Sequence, residues 1–324
     1  MLYYLRLFLQ YAMTFWAALT INFFLPRLAP GEPIEAIFSE DTLASMSDAD
    51  IQRVLADYGL DLPIWQQYWN YLSGLFYGDF GTSTSLGQPV LDALLVHLPW
   101  TLLLMGTALL FASLIGAFLG VLSAWKRGNL ADATITGVVL FIGSLPPFWL
   151  AMMLIILFAA NLGWLPAYGA YRIGVPEGSW QYYIEVGKRL IMPATALTMV
   201  HGASVLLIAR SAMLMSLDQD YIMFARAKGL PERRIFFKHA LRNAMLPLYT
   251  NVMMGLGGLI GGTLVIETVF AYPGVGSLVV AGVNTRDYNL LQGIFIFATA
   301  SVIVMNFLTD LFYPLIDPRT RKAA

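Results

Sequence analysis

The chain has 324 residues, 58% of them hydrophobic and only 12% charged, where soluble domains carry roughly a quarter charged residues; a membrane solvent accounts for the shortfall. A net charge of −1 offers no bulk attraction for nucleic acid. With no cysteine, disulfides, thiolate metal sites and cysteine nucleophiles are excluded, and His97, His201 and His239 form no i, i+4 His/Glu pair of the kind that holds a helical metal site.

A membrane span needs about 20 apolar residues, because the hydrocarbon core is about 30 Å thick and a helix rises about 1.5 Å per residue. Six stretches without Asp, Glu, Lys or Arg meet or nearly meet this: 7–25, 98–125, 133–171, 190–209, 243–266 and 288–309. The first follows the single Arg6, but no small-residue cleavage site comes after it, so it reads as a span rather than a secretory signal. The third is long enough for one kinked helix and an external turn, with Pro146, Pro147 and Pro166 as breakers. The fold expected is all-α and polytopic, with about six transmembrane helices.

Between the first two spans, residues 30–97 carry ten carboxylates against Arg53. Two short helices are predicted there, one around Ile51–Tyr58 capped by Asp48 and one starting at Pro63 with Ile64, Tyr68, Tyr71, Leu72 and Leu75 at helical spacing. The aromatics Trp65, Tyr68, Trp69, Tyr71, Phe76 and Tyr77 read as an interfacial belt, with a ligand surface as the rival. Placing the N-terminus inside puts 13 of the 19 basic residues on that side, so the positive-inside rule makes both termini cytoplasmic and 30–97 external. The chain thus divides into an N-terminal span (1–29), an external loop (30–97) and a five-helix core (98–318) holding a cytoplasmic loop at 211–246.

That cytoplasmic loop has seven basic residues when Arg210 is included, and an apolar set at Phe224, Leu230, Ile235 and Phe236. It reads as two short helices broken at Gly229-Leu230-Pro231, since Gly229 allows a sharp turn and Pro231 starts a helix. Composition leaves two accounts open, a lipid-bound amphipathic segment or a protruding turn docked on a cytosolic partner.

No G-x-x-x-x-G-K-[ST] phosphate loop occurs, so this chain does not bind and hydrolyse nucleotide. The spans lack the ladder of ionisable groups that proton-coupled carriers use, and Glu267 and Asp310 fall at predicted span ends, where a solvated interfacial carboxylate is expected. Ser204 near His201 has no third partner and is weak ground for an intramembrane enzyme. A self-contained secondary carrier is the alternative transport reading.

The segments Asp220-Tyr221-Ile222-Met223-Phe224-Ala225-Arg226-Ala227-Lys228-Gly229-Leu230 and His239-Ala240-Leu241-Arg242-Asn243-Ala244-Met245-Leu246-Pro247 resemble the permease signature of dipeptide and oligopeptide ABC importers. Further blocks agree in order: Pro30-Gly31-Glu32-Pro33, Gly78-Asp79-Phe80-Gly81-Thr82-Ser83, Ser144-Leu145-Pro146-Pro147-Phe148-Trp149, Gly163-Trp164-Leu165-Pro166, Glu267-Thr268-Val269-Phe270 and Tyr272-Pro273-Gly274-Val275-Gly276. The block order resembles the first permease of the pair such systems carry. Met223 and Phe224 occupy the slots where the general importer motif has Glu and Ala, a departure that agrees with the peptide branch.

The resemblance implies a type I ABC importer permease fold in the bacterial inner membrane, a second homologous permease, two cytosolic ATPase subunits that hold ATP and magnesium, and an external solute-binding protein. It implies a coupling helix with Ala225, Arg226, Ala227, Lys228, Gly229, Leu230, Glu232 and Arg233 at the ATPase; the small residues would admit a close partner surface and the charges would set register. It also implies a peptide as substrate, although relatives by fold carry nickel chelates, glutathione, murein fragments or oligosaccharides. No cofactor is expected on this chain itself. Span five is glycine-rich at 255, 257, 258, 261 and 262, which suits close packing or a wide, featureless pathway. Asn251, Gly258, Gly262, Glu267 and Asn306 are the candidate path residues.

Overall fold

The computed structural model describes residues 2–24, 46–57 and 61–316. The Pro30–Pro33 block, the acidic Glu32, Glu35, Glu40 and Asp41, and the basic Arg319, Arg321 and Lys322 lie outside them. The helices are α1 (Leu2–Phe24), α2 (Asp48–Asp57), α3 (Ile64–Phe76), α4 (Val90–Trp125), α5 (Leu130–Gly143), α6 (Pro147–Leu154), α7 (Trp180–Leu217), α8 (Asp220–Ala227), α9 (Leu241–Gly257), α10 (Leu259–Val269), α11 (Val275–Asn284) and α12 (Tyr288–Ile316). A π-helical stretch, Ile155–Asn161, prolongs α6, and a turn, Glu232–Arg234, with a second π-helical stretch, Ile235–Ala240, leads into α9.

The six expected spans correspond to four continuous helices, α1, α4, α7 and α12, and two bent pairs. The stretch after Leu130 is less a kinked helix than two short ones meeting at 95°. Pro146 and Pro147 enforce this, because a proline has no N–H to continue α5 but suits the first turn of α6. Residues 232–257 and 261–269 meet at 61°, with the break at Gly258. Helix α4 begins eight residues before the expected Leu98, directly after Pro89, and holds Pro99 in its interior. Helix α7 runs past both ends of the expected 190–209 and encloses Pro193.

Helices α4 and α7 form the spine, and two glycines let them approach. A β-carbon on Gly116 would lie 2.8 Å from the Gly202 carbonyl oxygen, and one on Gly120 2.5 Å from that of Leu206. Any side chain there would drive the helices apart, as in other small-xxx-small contacts. Around the spine, Leu104, Leu154, Met192, Leu197, Ile266 and Phe270 make one buried cluster, and Val90, Leu94, Val275, Leu278, Leu290 and Ile294 another. Helix α1 lies against α12, with Tyr11 donating to Asp310 at 2.7 Å. Large apolar side chains such as Trp16, Leu110, Leu114, Phe118 and Phe141 remain exposed around the bundle, far more than a soluble surface carries.

In the loop before α4, Ser47 rather than Asp48 accepts the first-turn N–H of α2, from Asp50 at 3.3 Å. Pro63 precedes α3 as expected. Helix α3 turns Tyr68 and Tyr71 onto Phe23 of α1 and bonds Tyr68 to Thr20 at 2.7 Å, while Trp65, Trp69 and Phe76 stay exposed.

Candidate functional site

The basic loop between α7 and α9 is a folded knob on the helix ends. Helix α8 stops at Ala227, where Gly229 takes φ +71 and its N–H bonds the Arg226 carbonyl at 2.9 Å. Only glycine holds that left-handed conformation at low cost. Pro231 then starts the next helical turn as its N-cap. Across the corner, Arg226 donates to both carboxylate oxygens of Glu232, at 2.8 and 3.3 Å, and this partner holds the guanidinium above its already high usual pKa.

The knob is anchored from below. Ile222, Ala225, Ile235, Phe236 and Ala240 pack with Ala124, Ala212, Met213 and Ala244, so the ends of α4, α7 and α9 share one apolar cluster with it. Ala225 therefore uses its lack of bulk inward, and is buried rather than facing a partner. Leu230 is half-buried at the edge of the same cluster, while Arg226, Ala227, Lys228, Gly229, Glu232 and Arg233 point outward. Between them stand Met223 and Phe224, 63% and 64% exposed. Phe224 was legible in the loop's apolar set and Met223 only as a departure from a motif; with Phe237, they are large apolar side chains that the knob exposes.

Beneath the knob lies an ion pair that sequence reading passed over. Arg210 of α7 makes two hydrogen bonds to Asp132 of α5, at 3.0 and 2.9 Å, and Ser123 of α4 and the Gly128 N–H donate to the same carboxylate. With Thr136 donating at 3.4 Å, five donors satisfy a buried carboxylate, as its desolvation demands.

The candidate path residues do not behave alike. Gly258 and Gly262 are exposed, and a β-carbon on Gly262 would meet only Met105 at 3.4 Å and His201 at 3.9 Å. A β-carbon on Gly257, in contrast, would lie 3.3 Å from the Val302 Cα of α12. Asn251 and Asn306 are half-buried on α9 and α12. Glu267 is not a solvated interfacial group: it is fully buried at the end of α10. One carboxyl oxygen accepts from Thr101 of α4 at 2.8 Å and the other from the Ser277 N–H at 3.1 Å, while Val275 N–H bonds Thr101 at 2.8 Å. The start of α11 thus delivers the Ser277 N–H to a side chain at the end of α10 and the Val275 N–H to Thr101 of α4. Gly274 and Gly276 leave room for the carboxyl group, since β-carbons there would fall 2.3 Å and 2.8 Å from its atoms. Ser204 donates to its own helix, at the His201 carbonyl, which leaves it no nucleophile geometry.

A third buried carboxylate fixes the turn before α12. Asp287 accepts from Ser83, from the N–H and hydroxyl of Ser85, and from Leu290 N–H, at 2.6 to 3.0 Å. Burial pushes its pKa up, but these donors outweigh burial and leave it below the usual carboxylate value.

A sequence profile described as the binding-protein-dependent transport system inner membrane component matches residues 116–322. The chain belongs to this family. It is a multi-pass inner-membrane protein and a permease component of an ABC transport system, which displaces the self-contained carrier reading. Among curated relatives, the di/tripeptide transport system permease protein DppB of Pseudomonas aeruginosa (strain UCBPP-PA14) is 36% identical over 322 residues, 95% of each chain. The oligopeptide transport system permease protein AppB of Bacillus subtilis (strain 168) is 36% identical over 92% of each chain. The dipeptide permease DppB of Escherichia coli (strain K12) is 34% identical over 95% of each. The fold is similar to a chain of the inward-facing MetNI methionine ABC transporter, with TM-score 0.56 and 18% identity over 69% of this chain and 96% of that one.

Proposed function

We propose that this chain is one of two homologous permeases of an ATP-driven importer, forming half of the pathway for peptides or peptide-like solutes. Near-full-length identity of about a third to permeases named for di- and oligopeptide transport supports the substrate class. The exposed knob around Gly229 carries the coupling role: one of two cytosolic ATPase subunits, which hold ATP and magnesium, docks on it, and an external binding protein delivers the solute. The knob's charges and both termini are then cytoplasmic.

The geometry supplies a route for the stroke. Helix α8 follows the end of α7 across Asp218 and Gln219, and Pro231 leads through the π-helical stretch into α9. The cluster around Ile222 and Ile235 ties the knob to α4 as well. Movement of a docked ATPase is therefore delivered to three helices at once, and α9 has a break at Gly258 about which its inner part can tilt. Asn251, Gly258, Gly262 and Asn306 border the path in this reading. Glu267, closed off in this conformation, acts by holding α11 in place beside it.

Because the chain has no native cysteine, single cysteines report topology cleanly. Lys228→Cys is expected to resist a membrane-impermeant maleimide in intact spheroplasts and to react after permeabilisation, with Thr84→Cys reacting in both. Labelling of Lys228→Cys in sealed spheroplasts contradicts the orientation. Accumulation of labelled di- or tripeptide in proteoliposomes holding the complete system and ATP tests the substrate; ATP turnover with no peptide uptake rules that class out.

A further inference from the structure

On the flank of the knob, α4 and the residues leading into α9 diverge to leave a cavity of about 1080 Å³. Its walls are apolar, formed by Leu114 and Ala117 on one side and Leu246, Leu248 and Val252 on the other. Its lining carries two cations, Lys238 and Arg242, both exposed, with neither Asp nor Glu among the lining residues. Neither Lys238 nor Arg242 is in an ion pair among the described residues. We propose that this cavity binds one anionic phospholipid, its phosphate between Lys238 and Arg242 and an acyl chain along α4 and α9.

Three observations select this occupant. Trp125, 38% exposed, meets the buried Phe236 edge-on at 4.6 Å and lies 5.6 Å from the exposed Phe237, and a partly exposed tryptophan of this kind marks the headgroup level of a bilayer. Lys238 and Arg242 are near neighbours of Phe237 in sequence and, four residues apart, share a helix face. From Arg242 to Val252 the chain rises about 15 Å, half of the roughly 30 Å hydrocarbon core, so the trough is one leaflet deep. A pair of cations between helices at that level suits a lipid phosphate, whereas a protein occupant must bring carboxylates into an apolar cleft and desolvate them. Tyr221 of α8 also lines the cavity and accepts from Asn243 of α9 at 2.7 Å, so the headgroup rests against the docking knob and its presence bears on the knob's position.

Placing the cavity in the cytoplasmic leaflet rests on the orientation proposed above, but binding of the lipid does not depend on it. The test uses the full chain with whichever subunits co-purify, stripped of lipid and titrated with dioleoylphosphatidylglycerol or dioleoylphosphatidylcholine, with adducts counted by native mass spectrometry. One retained phosphatidylglycerol is expected, in preference to phosphatidylcholine. Lys238→Gln with Arg242→Gln is expected to cut its retention about thirtyfold, from two lost surface charges. Leu114→Trp, which fills the trough from an exposed position and leaves the charges intact, is expected to cut retention of both lipids. Equal phosphatidylglycerol retention in wild type and both variants overturns the proposal. So does its displacement by millimolar inorganic phosphate, which would make this a free-phosphate site, or a high-yield disulfide from Ala117→Cys to a cysteine in a co-purifying permease, which would make the occupant protein. Failure here with ATPases still co-purifying counts against the lipid site alone.

Discussion

Truncating Glu267 and filling the space opposite it should be strongly coupled. Glu267→Ala strands the Thr101 hydroxyl and the Ser277 N–H, at about 1–3 kcal/mol for each buried donor left without a partner. Gly274→Ala places a β-carbon 2.3 Å from the Glu267 Cδ and 2.4 Å from each carboxyl oxygen, an overpacking that costs about 1–3 kcal/mol. Gly274 is not at positive φ, so the penalty is steric rather than conformational. All three nearest neighbours of that β-carbon belong to Glu267. In the Glu267→Ala background the Gly274 penalty should therefore disappear, and the double variant should be no less stable than Glu267→Ala alone. Gly276→Ala behaves differently, because its β-carbon also meets the Leu264 Cα at 2.6 Å and backbone cannot step aside; its penalty should persist. Thermal unfolding of the purified variants in one detergent gives the full cycle. Additive losses for Glu267→Ala and Gly274→Ala would refute the cradle, since contacting residues couple by about 0.5–3 kcal/mol.

Two further outcomes follow from the buried carboxylates. Asp132→Ala should cost about 3–5 kcal/mol by leaving the Arg210 charge without its partner, and Asp132→Ala with Arg210→Ala should lose less than the sum, both read by the same unfolding assay. Asp287 has its folded pKa below the ordinary value, so its contribution is complete above the unfolded carboxylate pKa and is lost as pH falls through the folded one. Hydrogen exchange at the Ser85 and Leu290 amides should stay slow at neutral pH and speed up, beyond the intrinsic change, only once pH falls below the ordinary carboxylate range. Asp287→Asn should be fast throughout.

What the sequence disclosed and what it hid divide by range of interaction. Apolar length gave the spans, and Gly229-Leu230-Pro231 gave the turn of the knob, because backbone conformation there is decided by the residues themselves. Prolines 146 and 147 announced a break, but its 95° angle depends on how α5 and α6 pack on α7. Glu267 was misread as solvated since its donors come from Thr101 in a distant helix and from the Ser277 backbone, neither visible in a local window. The Arg210–Asp132 pair joins residues 78 apart in sequence, and Gly116 and Gly120 gained meaning only once α7 lay across them. Ala225 shows the same limit in reverse, for its small size was legible but not the side to which it faces.

The measurement closest to the central claim is co-purification from cells expressing the complete transport operon, with the tagged wild-type chain compared with Gly229→Arg. Nothing lies within 4 Å of a β-carbon at Gly229, so the substitution adds bulk and charge to the exposed tip without reaching the buried cluster, at a backbone cost of about 1–3 kcal/mol for its positive φ. The account predicts that two ATPase subunits and a second permease accompany the wild type, and that the variant keeps the permease and loses the ATPases. A variant that retains its ATPases, or a wild-type chain that purifies alone, would contradict the docking role of the knob.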